Sequence, residues 1–372
     1  MRWSWKLGEV RGIGIYVHFT FLLLLGWIVL ANYLHHGDVA EALGETLFVV
    51  LVFAIIVLHE LGHALAADRY GIATRDITLL PIGGVARLDR MPDDPRQELV
   101  VALAGPAVNV VIAAGILLGL FASSELTRLP WASLTAGTIL QRLLVINVWL
   151  VLFNLIPAFP MDGGRVLRAL LAMRMDYVRA TQTAASVGQG IALLFGFIGL
   201  FLNPLLLFIA LFVWIGAAQE AHLVQARGAL AGIPVRDVMV REFQTLSPED
   251  ALGMAAQHVL AGFQQDFPVV QNGRLVGLLT RADLLGALMK HGESAQVGQV
   301  MRTRFEVAHP SEMLDTVMMR LGATDAHALP VVKGDEVVGM VMTETLAEYL
   351  MFQSALRREA RARRIAAAPP VV

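Results

Sequence analysis

Three ionisable residues stand at helical spacing inside an apolar run. They are His59, Glu60 and His63, in VFAIIVLHELGHALAADRYG, residues 52–71. Residues four apart on a helix share one face and lie about 6 Å apart along its axis. Two imidazole nitrogens at that spacing reach one tetrahedral zinc ion. Glu60 sits one position round the helix, where its carboxylate meets water at the metal rather than the metal itself. H-E-x-x-H is therefore a pattern for zinc-assisted hydrolysis. The competing reading is an amphipathic helix with stray charges. At membrane depth a charge costs ~2.5 kcal/mol or more, so unpaired ones are rare there. A shared metal would account for all three groups. Catalytic zinc needs a third protein ligand and one open position. The candidate is Asp162, in NLIPAFPMDGG, residues 154–164. Pro157 and Pro160 break an apolar run there, and Gly163 and Gly164 let the chain turn behind the carboxylate. The competing reading of Asp162 is an N-cap for the helix that follows it.

The elements that must carry these groups are membrane helices. The chain has 372 residues, 56% of them hydrophobic, and a net charge of −2. Its mean hydropathy of +0.62 is too high for an ordinary soluble protein. The charge balance gives no argument for nucleic acid as a partner. The absence of cysteine excludes disulfides, a thiol nucleophile and a Cys-based zinc site. A span needs about 20 mostly apolar residues. Six runs qualify, roughly 13–34, 45–67, 99–121, 138–158, 184–202 and 204–223. The first lacks a small-residue cleavage site and is expected to be a retained helix. A short surface helix is expected after Gly164. Basic residues alternate between loops. Arg2, Lys6 and Arg11 precede the first span, Arg69, Arg75, Arg87, Arg90 and Arg96 follow the second, and Arg165, Arg168, Arg174 and Arg179 follow the fourth. The intervening loops carry only Arg128. This pattern is expected of a multi-pass protein of the cell membrane with both termini in the cytoplasm. His59, His63 and Asp162 then share the cytoplasmic side of the bilayer.

The second half is soluble in character and repeats. Residues 239–284 align without a gap on 301–346: Met239 matches Met301, Pro248 matches Pro310, Leu252 matches Leu314, and Gly277 matches Gly339. Each unit reads as helix, strand, tight turn, strand, helix, with Asn272-Gly273 as a hairpin signal. Two such units are expected to pack on one another. The fold class is thus a membrane helical bundle followed by a soluble α/β module. The expected domains are 1–225, 233–290 and 297–350, with a basic tail at 351–372 containing RREARARR.

The repeat resembles a tandem pair of CBS domains, a regulatory module that in many proteins binds adenine nucleotides such as ATP or AMP and in many dimerises. The resemblance implies that Thr280 and Asp283 hold a nucleotide ribose. The matching positions of the second unit are Met342 and Thr345, which lack that pattern, so one site is favoured over two. The bland reading is that Thr280 and Asp283 cap a helix. The first half resembles the site-2 protease family of intramembrane zinc metalloproteases. HELGH, N-x-x-P-x-x-P-x-D-G-G, PIGGVARL (81–88) and PRQELVVALAGPAVN (95–109) carry that resemblance. With a CBS pair behind it, the chain is most similar to the subgroup of stage IV sporulation protein FB.

The resemblance implies that His59, His63 and Asp162 ligate zinc and that Glu60 is catalytic. Asn154 falls where the family keeps a polar side chain near the reaction. The implied substrate is a transmembrane protein, such as a membrane-tethered pro-sigma or anti-sigma factor. Gly83 and Gly84 lie in a stretch expected to offer an edge strand to an unwound substrate. Two other classes compete. A CBS-regulated transporter explains polar groups at depth but not Glu60 between paired histidines. A non-catalytic membrane scaffold has no use for the complete set.

Overall fold

The computed structural model describes residues 3–352 except 82, 89–90, 93, 124–136, 263, 323, 347 and 350. Arg2, Arg90, Arg128 and the basic tail from 353 onward lie outside the described residues. By its contacts the chain divides into Met1–Val224 and Gln225–Val372.

The first unit opens with β1 (Ser4–Val10) and β2 (Ile13–His18), followed by the apolar helix α1 (Phe19–His36). The first span was expected to begin at 13, but residues 13–18 form a strand. Their pattern explains this. Ile13 and Val17 are buried while Ile15, Tyr16 and His18 are half-buried, and the β-branched and aromatic residues of IGIYVH suit a strand. His18 ends the strand and caps α1, its ring accepting from the Thr20 amide at 3.3 Å. Helix α2 (Val39–Asp68) then leads to the hairpin β3 (Thr74–Leu80) and β4 (Gly83–Leu88). The four strands form one sheet in the order β1-β2-β3-β4. β2 and β3 run parallel, which needs the long α1–α2 crossover between them. β4 is left as an edge.

The bundle continues with α3 (Pro95–Ala122), α4 (Ile139–Asn154), α5 (Asp162–Ala172), α6 (Tyr177–Phe201) and α7 (Leu205–Leu230). α2, α3, α6 and α7 have 30, 28, 25 and 26 residues and are long and apolar enough to cross a membrane. α1 and α4 are apolar but shorter, so the six expected spans resolve into four long helices and two short ones. Phe197, Phe201, Phe208 and Leu211 face outward on α6 and α7, as a lipid-facing surface requires. One charge inside the bundle has a well-defined partner. Arg142 on α4 makes a two-pronged contact with Glu45 on α2, at 2.7 and 2.6 Å, and its guanidinium lies 3.9 Å from the Phe48 ring centre. The helix expected after Gly164 is α5, which starts two residues earlier.

The second unit contains α8 (Leu252–Ala261), β5 (Phe267–Gln271), β6 (Arg274–Leu279), α9 (Arg281–His291), α10 (Leu314–Gly322), β7 (Ala328–Lys333) and β8 (Glu336–Met342). Its two cores are built from the same repeat positions. Leu252, Phe267, Val269 and Leu279 are buried in one, and Leu314, Leu329, Val331 and Val341 in the other. The β5–β6 turn puts Asn272 and Gly273 at φ of 52° and 77°, the left-handed region that this dipeptide tolerates. The repeats also exchange contacts. A Cβ at Gly277 would lie 2.4 Å from Met301 Sδ, and one at Gly339 would lie 2.8 Å from Met239 Sδ. Each glycine thus admits the methionine that opens the other repeat.

Candidate metal centre

α2 carries His59 and His63, both buried, on one face. Asp162 reaches them from the other end of the fold. Its Oδ2 lies 3.1 Å from His59 Nε2 and 3.2 Å from His63 Nε2, and the two nitrogens are 3.1 Å apart. Among the described residues, these three form the group able to hold a metal ion. Asp162 is the first residue of α5. The capping position belongs to Met161, whose side chain makes no cap bond. The N-cap reading of Asp162 therefore fails, and its carboxylate turns to the histidines instead.

The donor set fits zinc. A tetrahedral ion with bonds of ~2.0–2.1 Å separates its ligand atoms by about 3.3 Å, close to the 3.1–3.2 Å edges of this triangle. His63 Nδ1 lies 2.7 Å from the Val101 carbonyl oxygen. A carbonyl only accepts, so Nδ1 carries the hydrogen and Nε2 offers a lone pair to a metal. Space is provided by glycine. A Cβ at Gly105 on α3 would stand 2.2 Å from His63 Nε2 and 2.7 Å from His59 Nε2. A Cβ at Gly163 would strike the Ile156 and Leu155 carbonyls at 2.2 and 2.4 Å. Only glycine lets α5 begin this close to the chain that precedes it.

Glu60 is half-buried beside the histidines. β4 passes over it, because a Cβ at Gly84 would come within 2.9 Å of Glu60 Cγ and 3.0 Å of Ile56 Cγ2. Gly84 pairs with Leu79 and Gly83 with Leu80, and Gly83 has a φ of 134° that excludes other residues. Asn154 is the last residue of α4 and is half-buried. It is not one of the three converging groups.

One buried network carried no sequence signal beyond loop charge. Arg168 on α5 is 0% exposed and Glu98 on α3 is 1% exposed. Arg168 Nε and Nη2 approach Glu98 Oε1 at 2.8 and 2.5 Å, and its Nη1 donates to Glu220 on α7. Nothing in the spacing of residues 98, 168 and 220 foretells that they meet.

In the second unit Thr280 caps α9. Its hydroxyl oxygen accepts from the Asp283 amide at 3.2 Å and its O–H donates to the Asp283 carboxylate at 2.6 Å. Asp283 is also held by Arg302, at 2.5 and 3.1 Å. Burial pushes the Asp283 carboxyl up, but the bonds from Arg302 and Thr280 outweigh it and hold the group below its ordinary value. Arg302 also lines a cleft of about 850 Å³, together with Arg274, Arg304 and Phe305.

Paired imidazoles and a carboxylate, a glutamate beside them and apolar helices around them define a membrane metallohydrolase centre. The sequence profile of Peptidase family M50 matches residues 47–129 and 127–197. That of the CBS domain matches 235–290 and 297–352. A zinc metalloprotease of Methanocaldococcus jannaschii is 32% identical over 342 residues, 92% of this chain and 94% of that protein. Stage IV sporulation protein FB of Bacillus subtilis is 25% identical over 276 residues, 70% of this chain and 88% of that one. The solved site-2 protease of Methanocaldococcus jannaschii is 36% identical, covering 59% of this chain and 95% of its own, with a TM-score of 0.43. The chain belongs to peptidase family M50, the site-2 proteases, and carries a tandem pair of CBS domains. It is a membrane-embedded zinc metalloprotease.

Proposed function

We propose that this chain cuts a membrane-tethered regulatory protein, such as a pro-sigma or anti-sigma factor, within or beside the bilayer. His59, His63 and Asp162 hold the zinc ion. The carrying observation is that three buried donor atoms, from segments 99 and 103 residues apart, lie within 3.2 Å of one another. Bound there, zinc supplies Lewis-acid charge and acidifies water. Glu60 takes a proton from the attacking water and passes it to the leaving amide nitrogen. The Asn154 amide donates to the oxygen of the attacked carbonyl as charge builds on it. A substrate helix hides its peptide groups in its own hydrogen bonds, so it must unwind first. The unwound segment adds to the free edge of β4. Gly83 and Gly84 leave that edge without side chains, and Gly84 lies against the Glu60 side chain.

Residues 1–225 form the protease domain, with both termini in the cytoplasm of a cell whose membrane holds the chain. Residues 233–290 and 297–350 are the CBS domains, which regulate cleavage, bind ATP or AMP and pair with a second copy of the chain. Nucleotide binding at Thr280 and Asp283 requires Arg302 to leave the carboxylate for a phosphate. Regulation is tested by cleavage rates with and without adenine nucleotide. Rates that never respond would remove this part. The protease assignment is tested with Glu60→Gln and a single-span test substrate. The variant should keep its zinc and cut nothing. A fully active Gln variant would sink the assignment.

A further inference from the structure

We propose that Arg168 is a positioning residue for the metal centre. Through Glu98 it fixes α5 in register with α3, and through Glu220 it ties α5 to α7, and so sets where Asp162 meets the two histidines. The proposal rests on the reading of His59, His63 and Asp162 as metal ligands.

α3 serves as the common reference for both halves of the centre. Three of its residues lie on one buried face at helical spacing: Glu98, Val101 and Gly105. The Val101 carbonyl fixes the His63 ring. Gly105 leaves the gap that the His59 and His63 nitrogens enter. Glu98 holds Arg168, which lies six residues after Asp162 on α5. The histidines and the carboxylate are thus measured from the same helix, the histidines through a carbonyl and a gap and the carboxylate through an ion pair.

The Arg168 site is built rather than incidental. The side chain is 0% exposed. Its guanidinium carbon lies 5.0 Å from the Phe159 ring centre and 5.1 Å from that of Tyr177. Phe159 belongs to the turn just before α5, so the same guanidinium also packs on the chain leading into Asp162. Two carboxylates, on α3 and α7, take different nitrogens of one planar fork. An ammonium cannot reproduce that geometry, since it offers a point charge without fixed directions. Groups bonded directly to a metal ligand typically change metal affinity by 10–100-fold when lost, and Arg168 acts on Asp162 through the helix that carries it. An ion pair that only stabilised the fold would change melting temperature and leave the metal untouched.

The experiment uses the full chain in detergent. Zinc affinity is measured by competition with a chelator, and ligand geometry by the visible absorption of the cobalt-substituted protein. Arg168→Lys keeps the charge and loses the fork. The double variant Glu98→Leu with Arg168→Met removes the pair without leaving a fully buried charge alone, an exchange that proteins often accept without loss of stability. Each folded variant should bind zinc at least ~10-fold more weakly and show altered cobalt bands, while Gly115→Ala on α3, whose Cβ would meet nothing within 4 Å, matches wild type in both. If Arg168→Lys does not fold, the double variant decides by the same criteria. Wild-type zinc affinity and a wild-type cobalt spectrum in either folded variant would overturn the proposal. Zinc binding unaffected by His59→Ala would instead overturn the metal-centre reading, and this inference with it.

Discussion

Gly105→Ala adds one methyl group to α3 and alters no ligand. The added Cβ would lie 2.2 Å from His63 Nε2 and 2.7 Å from His59 Nε2, where ordinary contact begins near 3.4 Å. The shortfall is about 1.2 Å at one nitrogen and 0.7 Å at the other. Metal sites tolerate errors of roughly 0.2 Å in bond length, so neither imidazole can stay in place. A misplacement on the order of 1 Å in a reacting group costs ~100-fold. Cleavage should therefore fall by about that factor, and zinc affinity should fall with it. The helix itself has no reason to suffer, because Ala is a better helix former than Gly by ~1 kcal/mol. Gly115→Ala on the same helix is the control, since its Cβ would meet nothing within 4 Å. It should keep zinc and activity. Zinc titration and cleavage of both variants, alongside thermal melting, make the assay. A Gly105→Ala protein with wild-type zinc affinity and turnover would refute the placement of these histidines.

Other perturbations separate the metal site from the β4 edge and from the C-terminal unit. Gly84→Ala puts a Cβ 2.9 Å from Glu60 Cγ, so turnover should drop while zinc content, read by metal analysis, is kept. Thr280→Ala removes the cap of α9 and should destabilise the C-terminal unit by ~1 kcal/mol in a denaturant titration. The folded Asp283 carboxyl titrates below its ordinary value of 3.8. Its contribution to stability is therefore present above that value and lost as pH falls through the lower folded one. Arg302→Gln should weaken this acid-side loss, which melting curves between neutral and acid pH would detect. Leu329→Ala in the second repeat's core removes a side chain that is 1% exposed and should cost ~2–5 kcal/mol of unfolding free energy.

Local and periodic signals were readable from sequence, and ion pairs between distant segments were not. The i, i+4 histidines had to share a face, and the 62-residue repeat carried its core with it, so Leu252 and Leu314 are buried alike. Asp162 stood out because prolines and glycines broke the run around it. Residues 13–18 misled because a buried strand and the start of a membrane helix are equally apolar over six residues. Arg168 was counted as loop charge. Its burial depends on Glu98 and Glu220 arriving from distant helices, which no local pattern encodes. The Asp283–Arg302 pair joins the two repeats and was invisible for the same reason.

The proposed assignment is His59, His63 and Asp162 as ligands of the zinc that this protease uses. Zinc-edge X-ray absorption on the purified full chain tests it most directly. Light N/O neighbours at ~2.0–2.1 Å are expected, with the outer-shell signature of two imidazoles. His63→Ala should reduce that signature to one or abolish binding. A zinc site with no imidazole signature, or one unchanged in His63→Ala, would contradict it.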